Sequence, residues 1–542
     1  MEKRAIVAAV LMAALLIIYQ TFLLPTPAPP PKGDTQPAPP PRAAGPEAVR
    51  TPLPAPKSAP PPPEHTVTVD TPLYHAVVSS EGGKLQEWML HYRGEKPLVA
   101  SGELGPRGLI LARPGVGVEP LPFRLEGDRL QLDDKQRDGT LVMTGQDAYG
   151  VRVTQTARFT VDQYTVELTV RLENSRATSQ TIEVALPWIA PGKPGDARVQ
   201  WPRELVWQVD GTVHRQQDLK TAALETTGDW VGFDNLYYLS ALIPKSPGLK
   251  LVVGPEREGK VAAAVRGSVT LAPGQIWEAQ AQVYAGPKEY NRLRAYGLEG
   301  AIDFGGFPLP RRYGGLPMEW LGVPVLLVMN FFYRFTGNYG VAIILLTVIT
   351  KVLFFPLTVK SMTSMKKMQA IQPQANAVRA KYKSDPQRAQ RETLELYRRE
   401  GVNPLGGCLP MVIQIPIFYA LYIALSVAVE LQNAPFICVG RLFGVDLWIC
   451  DLAAQDPTYI LPILMGVTMF VQQKMTPTTG DPRQAKMMLV MPFIFTFMFL
   501  NLPSGLVLYW TVSNALQILQ QHLMNRSPAR VARREAKDAA RA

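Results

Sequence analysis

A helical membrane bundle joined to a large antiparallel β-sandwich is the fold predicted by this 542-residue sequence. Three observations predict it. Apolar runs cluster at the extreme N-terminus and again after residue 316. Between them, residues 64–305 have a soluble composition and strands that alternate apolar and polar side chains. The short segments separating the later apolar runs are either basic or acidic, as segments on opposite membrane faces should be. The net charge of +11 would suggest nucleic acid in a soluble protein. Here the basic residues flank apolar runs, so the charge reads as topology and as affinity for anionic lipid or RNA at one membrane face.

Lys3-Arg4 precedes the apolar run Ala5–Leu24. That run is too long for a signal-peptide core and no small-x-small site closes it, which predicts an uncleaved transmembrane anchor over 1–24. Residues 25–63 are almost half proline and cannot bury a core, so they form an extended tether of about 3.1 Å per residue. The β-sandwich at 64–305 rests on Tyr164–Leu172, which alternates without a break, and on Arg152–Val161, which nearly does. Residues 316–335 are apolar but hold Pro317, Glu319, Pro324 and Arg334. They predict an interfacial amphipathic helix, because a span here would put the basic loop 360–403 outside the cell.

Within a core of 338–525, five further spans are expected at about 339–359, 405–429, 458–475, 486–500 and 504–524, six with the anchor. The loop 360–403 carries ten Lys/Arg against four acids, and the tail 526–542 is basic. The loop 430–457 instead carries Glu430, Asp446, Asp451 and Asp456 against Arg441. This distribution predicts that both termini are cytoplasmic and that the β domain and the loop 430–457 lie outside. Two helix-favouring stretches joined by Ser384-Asp385-Pro386 predict a cytoplasmic helical hairpin over 360–401.

Lys351 is the chemical oddity. It lies inside an apolar run, about two and a half helical turns from Lys360, where a lysine costs roughly 2.5–3.5 kcal/mol. Such a cation either snorkels to the headgroups or faces a partner or a hydrated cavity. Thr347 precedes it by four residues, on the same helical face. Gln414, Thr468 with Gln472, and Ser513 with Gln517 also interrupt apolar runs, the two pairs at i, i+4. Any one pair reads first as interhelical glue, worth about 0.6 kcal/mol. Taken together with an unpaired cation they predict a shared hydrated groove. No acidic residue lies inside the five later runs, so the countercharge of Lys351 would come from water, lipid or a transient substrate. The later runs also crowd Met and Phe, from Met465 to Phe499, a surface suited to varied apolar partners.

Other signals fail. Gly254-Pro-Glu-Arg-Glu-Gly-Lys260 has phosphate-loop spacing, but Val261 stands where Ser or Thr should bind magnesium. No HExxH, G-x-S-x-G or Cys/His metal spacing occurs, so neither an enzyme nor a cofactor is expected.

Asn403-Pro-Leu-Gly-Gly-Cys-Leu-Pro410, Asp451-Leu-Ala-Ala-Gln-Asp-Pro457, Leu461–Phe470 and Pro503-Ser-Gly-Leu-Val-Leu-Tyr509 resemble the YidC membrane protein insertases of Gram-negative bacteria. The resemblance is dense over 338–525, and Trp230-Val-Gly-Phe233 is similar to a segment of the family's β domain. It implies an inner-membrane insertase and chaperone that works alone or with the Sec translocon. It implies a periplasmic β-supersandwich, a groove closed to the periplasm, and one positive charge inside that groove at Lys351, with Thr347 as a groove threonine. It also implies newly made membrane proteins as substrates, with ribosomes and targeting factors meeting the hairpin.

Three departures from the family stand out. The family usually has arginine where Lys351 stands, and often tyrosine where Trp510 stands. Ile437–Asp446 looks like an insertion in the outer loop that brings in Cys438, with Cys450 twelve residues on, and suggests a disulfide in an oxidising compartment. Two rival readings remain open: a secondary transporter or channel, and a membrane-anchored glycan-binding protein.

Overall fold

The computed structural model describes residues 64–539 apart from 100–104, 107, 114–120, 192–203, 217–222, 256–259, 305, 308–315, 318, 384, 401–408, 443–444 and 476–481. The expected anchor and proline-rich tether, residues 1–63, lie outside the described residues.

The alternating stretches pair as their pattern demands. Strand Val151–Thr160 lies antiparallel to Thr165–Asn174, which pairs with Ile276–Pro287. These strands sit inside a nine-stranded sheet. Val151, Val153, Gln155, Ala157 and Phe159 are buried, and Arg152, Thr154, Thr156 and Arg158 between them face outward or half-outward. A second, six-stranded sheet is built around Gln180–Pro191 and Lys260–Leu271, in register from Gln180↔Leu271 to Pro191↔Lys260. Lys260–Leu271 packs on Trp230–Asp234, Tyr238–Pro244 and Ile276–Pro287 of the first sheet, which makes the sandwich. Trp88, Trp188, Trp230, Tyr284 and Phe159 fill the core, and Tyr74 stacks on Trp88 at 4.0 Å between ring centroids. Gly254 and Lys260 belong to the facing strands of an antiparallel pair, so the phosphate-loop spacing lacks the following helix that such a loop requires.

Asp234 anchors the end of this domain. Lys288, fully buried, donates to Asp234 Oδ2 at 2.7 Å and to the Ala301 carbonyl at 2.9 Å. Arg215 approaches the same carboxylate at 3.2 Å. The first helix, α1 (Tyr290–Ala295), follows directly.

After the sandwich the pattern turns helical. Leu316–Pro317 forms a two-stranded ribbon with Gly306–Phe307. The amphipathic helix expected over 316–335 therefore starts later, as α2 (Glu319–Thr336). It buries Gly322, Leu326 and Met329 on one side and exposes Trp320, Phe331 and Phe335 on the other.

The run expected as a span at about 339–359 is occupied by two helices, α3 (Tyr339–Leu353) and the start of α4 (Phe355–Ala370), bent by 57°. Pro356 explains the break, since it lacks the N–H that a continuous helix would donate to Val352 O and its ring crowds that carbonyl. Helices α5 (Gln372–Lys381) and α6 (Pro386–Arg399) pack together, and the Asp385 side chain caps α6 by accepting from Arg388 N at 3.1 Å. Then come α7 (Leu409–Val427), α8 (Ile460–Met475), α9 (Pro482–Phe499) and α10 (Ser504–Ala539). The last helix does not stop near 524 but runs on through the basic tail. Among the described residues no single helix is long and apolar enough to cross a membrane, whereas α3 and α4 pass that test as a bent pair.

The loop 430–457 is itself structured. Ile437–Leu442 and Val445–Ile449 form a β-hairpin, and Cys438 is bonded to Cys450. Alkylation of the unreduced protein is expected to spare both cysteines and to reach them after reduction. A free thiol at either position before reduction would refute the bond.

Candidate functional site

Helix α3 is held at its start by Asn338. Its side chain accepts from Val341 N at 3.2 Å and donates to the Phe436 carbonyl of the loop 430–457 at 2.9 Å. Gly340 lies so closely against the Phe436 ring that a Cβ there would clash with it. The same loop receives the start of α10: Ser504 N donates to Ala454 O at 2.7 Å and Gly505 N to Leu452 O at 2.8 Å. One loop thus seats the first turns of both helices that carry the polar site.

Three turns on, Lys351 is half-buried and donates from Nζ to Gln517 Oε1 of α10 at 3.1 Å. Among the described residues no carboxylate is paired with it. A neutral amide satisfies one donor of the ammonium and leaves its charge uncompensated. Helix α10 also packs on α8 and α7.

The remaining sequence-marked residues take different roles. Thr347 is fully buried and its hydroxyl donates to Ile343 O of its own helix at 2.6 Å. Thr468 does the same to Met465 O at 2.7 Å. Both hydroxyl protons are therefore spent inside their own helices, the usual local alternative for threonine. Gln472 and Ser513 are half-buried. The side chain of Gln414, on α7, lies outside the described residues. Trp510 sits in an apolar box, with Phe418 of α7 at 4.5 Å and Phe499 and Phe495 of α9 at 5.1 and 6.3 Å between ring centroids. It packs three helices together and is not part of the polar strip.

Sequence reading missed several polar residues. Asn514 is buried with no partner for its Nδ2 among the described residues, and Gln521 donates to Met475 O of α8 at 2.5 Å. With Ser513 and Gln517 they form one polar strip along α10, spaced i, i+1, i+4 and i+8. That spacing was the available signal. Lys366 of α4 also reaches α10, donating to Met524 O at 3.2 Å.

What the arrangement can do chemically is limited and specific. A cation with a neutral partner, beside amide side chains, presents a half-buried positive point to an incoming carboxylate. Helices α8 and α9 meanwhile expose Ile463, Val467, Phe493 and Phe497 to apolar neighbours.

The family models and the relatives of similar sequence agree on one family. The family described as 60Kd inner membrane protein matches residues 331–531, and the YidC periplasmic domain matches residues 66–309. A membrane protein insertase YidC from Syntrophus aciditrophicus is 39% identical over 97% of this chain and 100% of its own length. The insertase YidC of Geobacter metallireducens is 36% identical over 98% of this chain and 99% of its own. A solved structure titled as an active YidC insertase aligns with 84% of this chain and 91% of that one, at 20% identity and a TM-score of 0.35. Full-length identity of this order, with both halves matched, means that this chain belongs to the YidC family of membrane protein insertases.

Proposed function

We propose that the chain inserts and folds proteins of the bacterial inner membrane by drawing hydrophilic substrate tails to Lys351 and releasing apolar segments along α8 and α9. The observation that carries this reading is the half-buried Lys351 ammonium, held by Gln517 and by no carboxylate among the described residues. A tail leaving bulk water for a hydrated, positively charged recess crosses at lower cost than it would through lipid. Acidic tails gain most.

On this reading Gln414, Thr468, Gln472, Ser513 and Gln517 line the hydrated side of the groove, with the buried Thr347 behind Lys351 on the same helical face and Trp510 supporting the groove from the apolar side. The chain crosses the membrane six times, five of them in the core, with both termini cytoplasmic and the β domain and outer loop in the periplasm. The uneven distribution of basic and acidic loops supports this topology. The α5–α6 hairpin and the basic tail face ribosomes and targeting factors, and the same basic surface attracts anionic lipids. Cooperation with the Sec translocon belongs to the same proposal. No nucleotide is required by the insertase itself.

Proteoliposomes containing only the purified chain should insert a single-span substrate with an acidic tail, without added nucleotide. Solute flux without insertion would instead favour a transporter and overturn the proposal.

A further inference from the structure

A buried polar junction joins the β domain to the helices, and the groove makes no use of it. Arg93, in the turn between strands Leu85–His91 and Glu95–Val99, donates from Nη1 to the Glu430 carbonyl. It reaches the Gln432 carbonyl as well, at 3.4 Å. The Arg93 carbonyl accepts from Asn433 Nδ2 at 2.7 Å, and its guanidinium lies 5.2 Å from the centroid of the Tyr339 ring. Tyr238 of the sandwich donates its hydroxyl to Gln432 Oε1. On the helix side, Glu430 Oε1 accepts from Asn330 of α2 at 3.1 Å, and Asn330 Oδ1 accepts from the Tyr339 hydroxyl at 3.1 Å. Arg93 and Asn433 have φ of +48° and +51°, the left-handed region that asparagine adopts readily and arginine rarely. The contact is built from both sides.

Its centre carries an imbalance. The Arg93 guanidinium is spent on backbone carbonyls, so the buried Glu430 carboxylate is left with its own backbone N–H and Asn330 as hydrogen-bond donors and, among the described residues, no ion pair. The charged and titratable groups facing it are Arg93, Glu289 at the start of α1, and the phenols of Tyr92 and Tyr339.

We propose that this junction is an acid-tightened latch: protonation of Glu430 strengthens the seating of the β domain on the end of the helix core where α3 begins. Burial, the largest cause, and the neighbouring Glu289 push the Glu430 carboxyl up to about 7, against the pull of its own backbone N–H, Asn330 and Arg93. Unseated, the carboxyl meets water and returns to the ordinary carboxylate range. The seated state therefore binds more protons between that range and about pH 7. Seating weakens as pH rises through this window, by up to about tenfold per unit, and levels off above it. Because α3 starts at Tyr339 inside the junction, the latch also fixes the outer end of the helix that carries Lys351. On the proposed topology this end faces the periplasm, whose pH follows the medium.

The test is a distance measurement on the full chain in nanodiscs, where both faces share one buffer and the result does not depend on orientation. Spin labels at Val142→Cys on the sandwich and Ile460→Cys on α8, both exposed positions, are placed in a Cys408→Ser background with the native disulfide intact. The wild-type pair should give one distance at pH 5.5 and a second, longer population that grows at least several-fold by pH 8. Glu430→Gln, which mimics the protonated acid, should keep the first distance at both pH values. Arg93→Ala should show the longer population at both. A wild-type distribution unchanged between pH 5.5 and 8 would overturn the latch. So would a pH response that survives in Glu430→Gln, or an Arg93→Ala distribution identical to wild type.

Discussion

Replacing Lys351 by glutamate is expected to abolish insertion of a single-span substrate with an acidic tail, while Lys351→Arg retains it. Two unit charges about 4 Å apart interact by about 4 kcal/mol at an effective dielectric near 20. Reversing the sign turns that attraction into repulsion, so the loss should far exceed tenfold. Arginine preserves the charge and can still donate to Gln517, although its planar fork will choose its own geometry. The measurement is protease protection of the translocated tail in proteoliposomes, with protein levels matched. Normal insertion by the glutamate variant would refute the electrostatic role of Lys351.

The second large effect is on stability. Asp234→Asn removes the carboxylate that compensates Lys288, whose ammonium is buried within 2.7 Å of it. Breaking one partner of a buried pair costs about 3–5 kcal/mol, because the other charge stays behind unpaired. Burial already holds the Lys288 pKa below its ordinary value, and Asp234 is the main opposing pull. In the variant the folded pKa falls further while the unfolded one does not. The unfolded state then binds more protons, so the lost stability should return as pH rises toward the ordinary lysine range. Thermal unfolding in detergent, followed by the fluorescence of Trp230 and its core neighbours, should show a drop of about 10 °C at neutral pH. Adding Lys288→Met should restore part of it by deleting the stranded charge. An unchanged midpoint in the single variant would show that Lys288 is not held charged by Asp234.

The sandwich was legible because its signal is local. Alternation along Arg152–Val161 and Tyr164–Leu172 states which side chains face inward, and the observed register from Arg152↔Glu173 to Phe159↔Val166 obeys it. The break after α3 was equally available in Pro356. Apolar composition continues across that proline although the backbone hydrogen bonds do not, so a hydropathy reading passes over it. Threonine was harder to read. Thr347 and Thr468 look like groove-lining hydroxyls, yet each donates to a carbonyl of its own helix, a local option that competes with any longer-range role. Trp510 likewise reads as a departure at a groove position, and three phenylalanines from two other helices make it a packing residue.

By itself the sequence determined the alternation of the strands, the apolar runs, the two-faced α2 and the lone charge at Lys351. Each of these follows from the periodicity of a single element or from one residue in the wrong solvent. Only the tertiary structure decided what Lys351 touches, since Gln517 lies 166 residues away, and that Arg93 meets the Glu430 carbonyl across 337 residues. Which donors and acceptors end as neighbours depends on how whole elements pack. Local patterns constrain which face of an element is buried and leave the partner on the other side unstated.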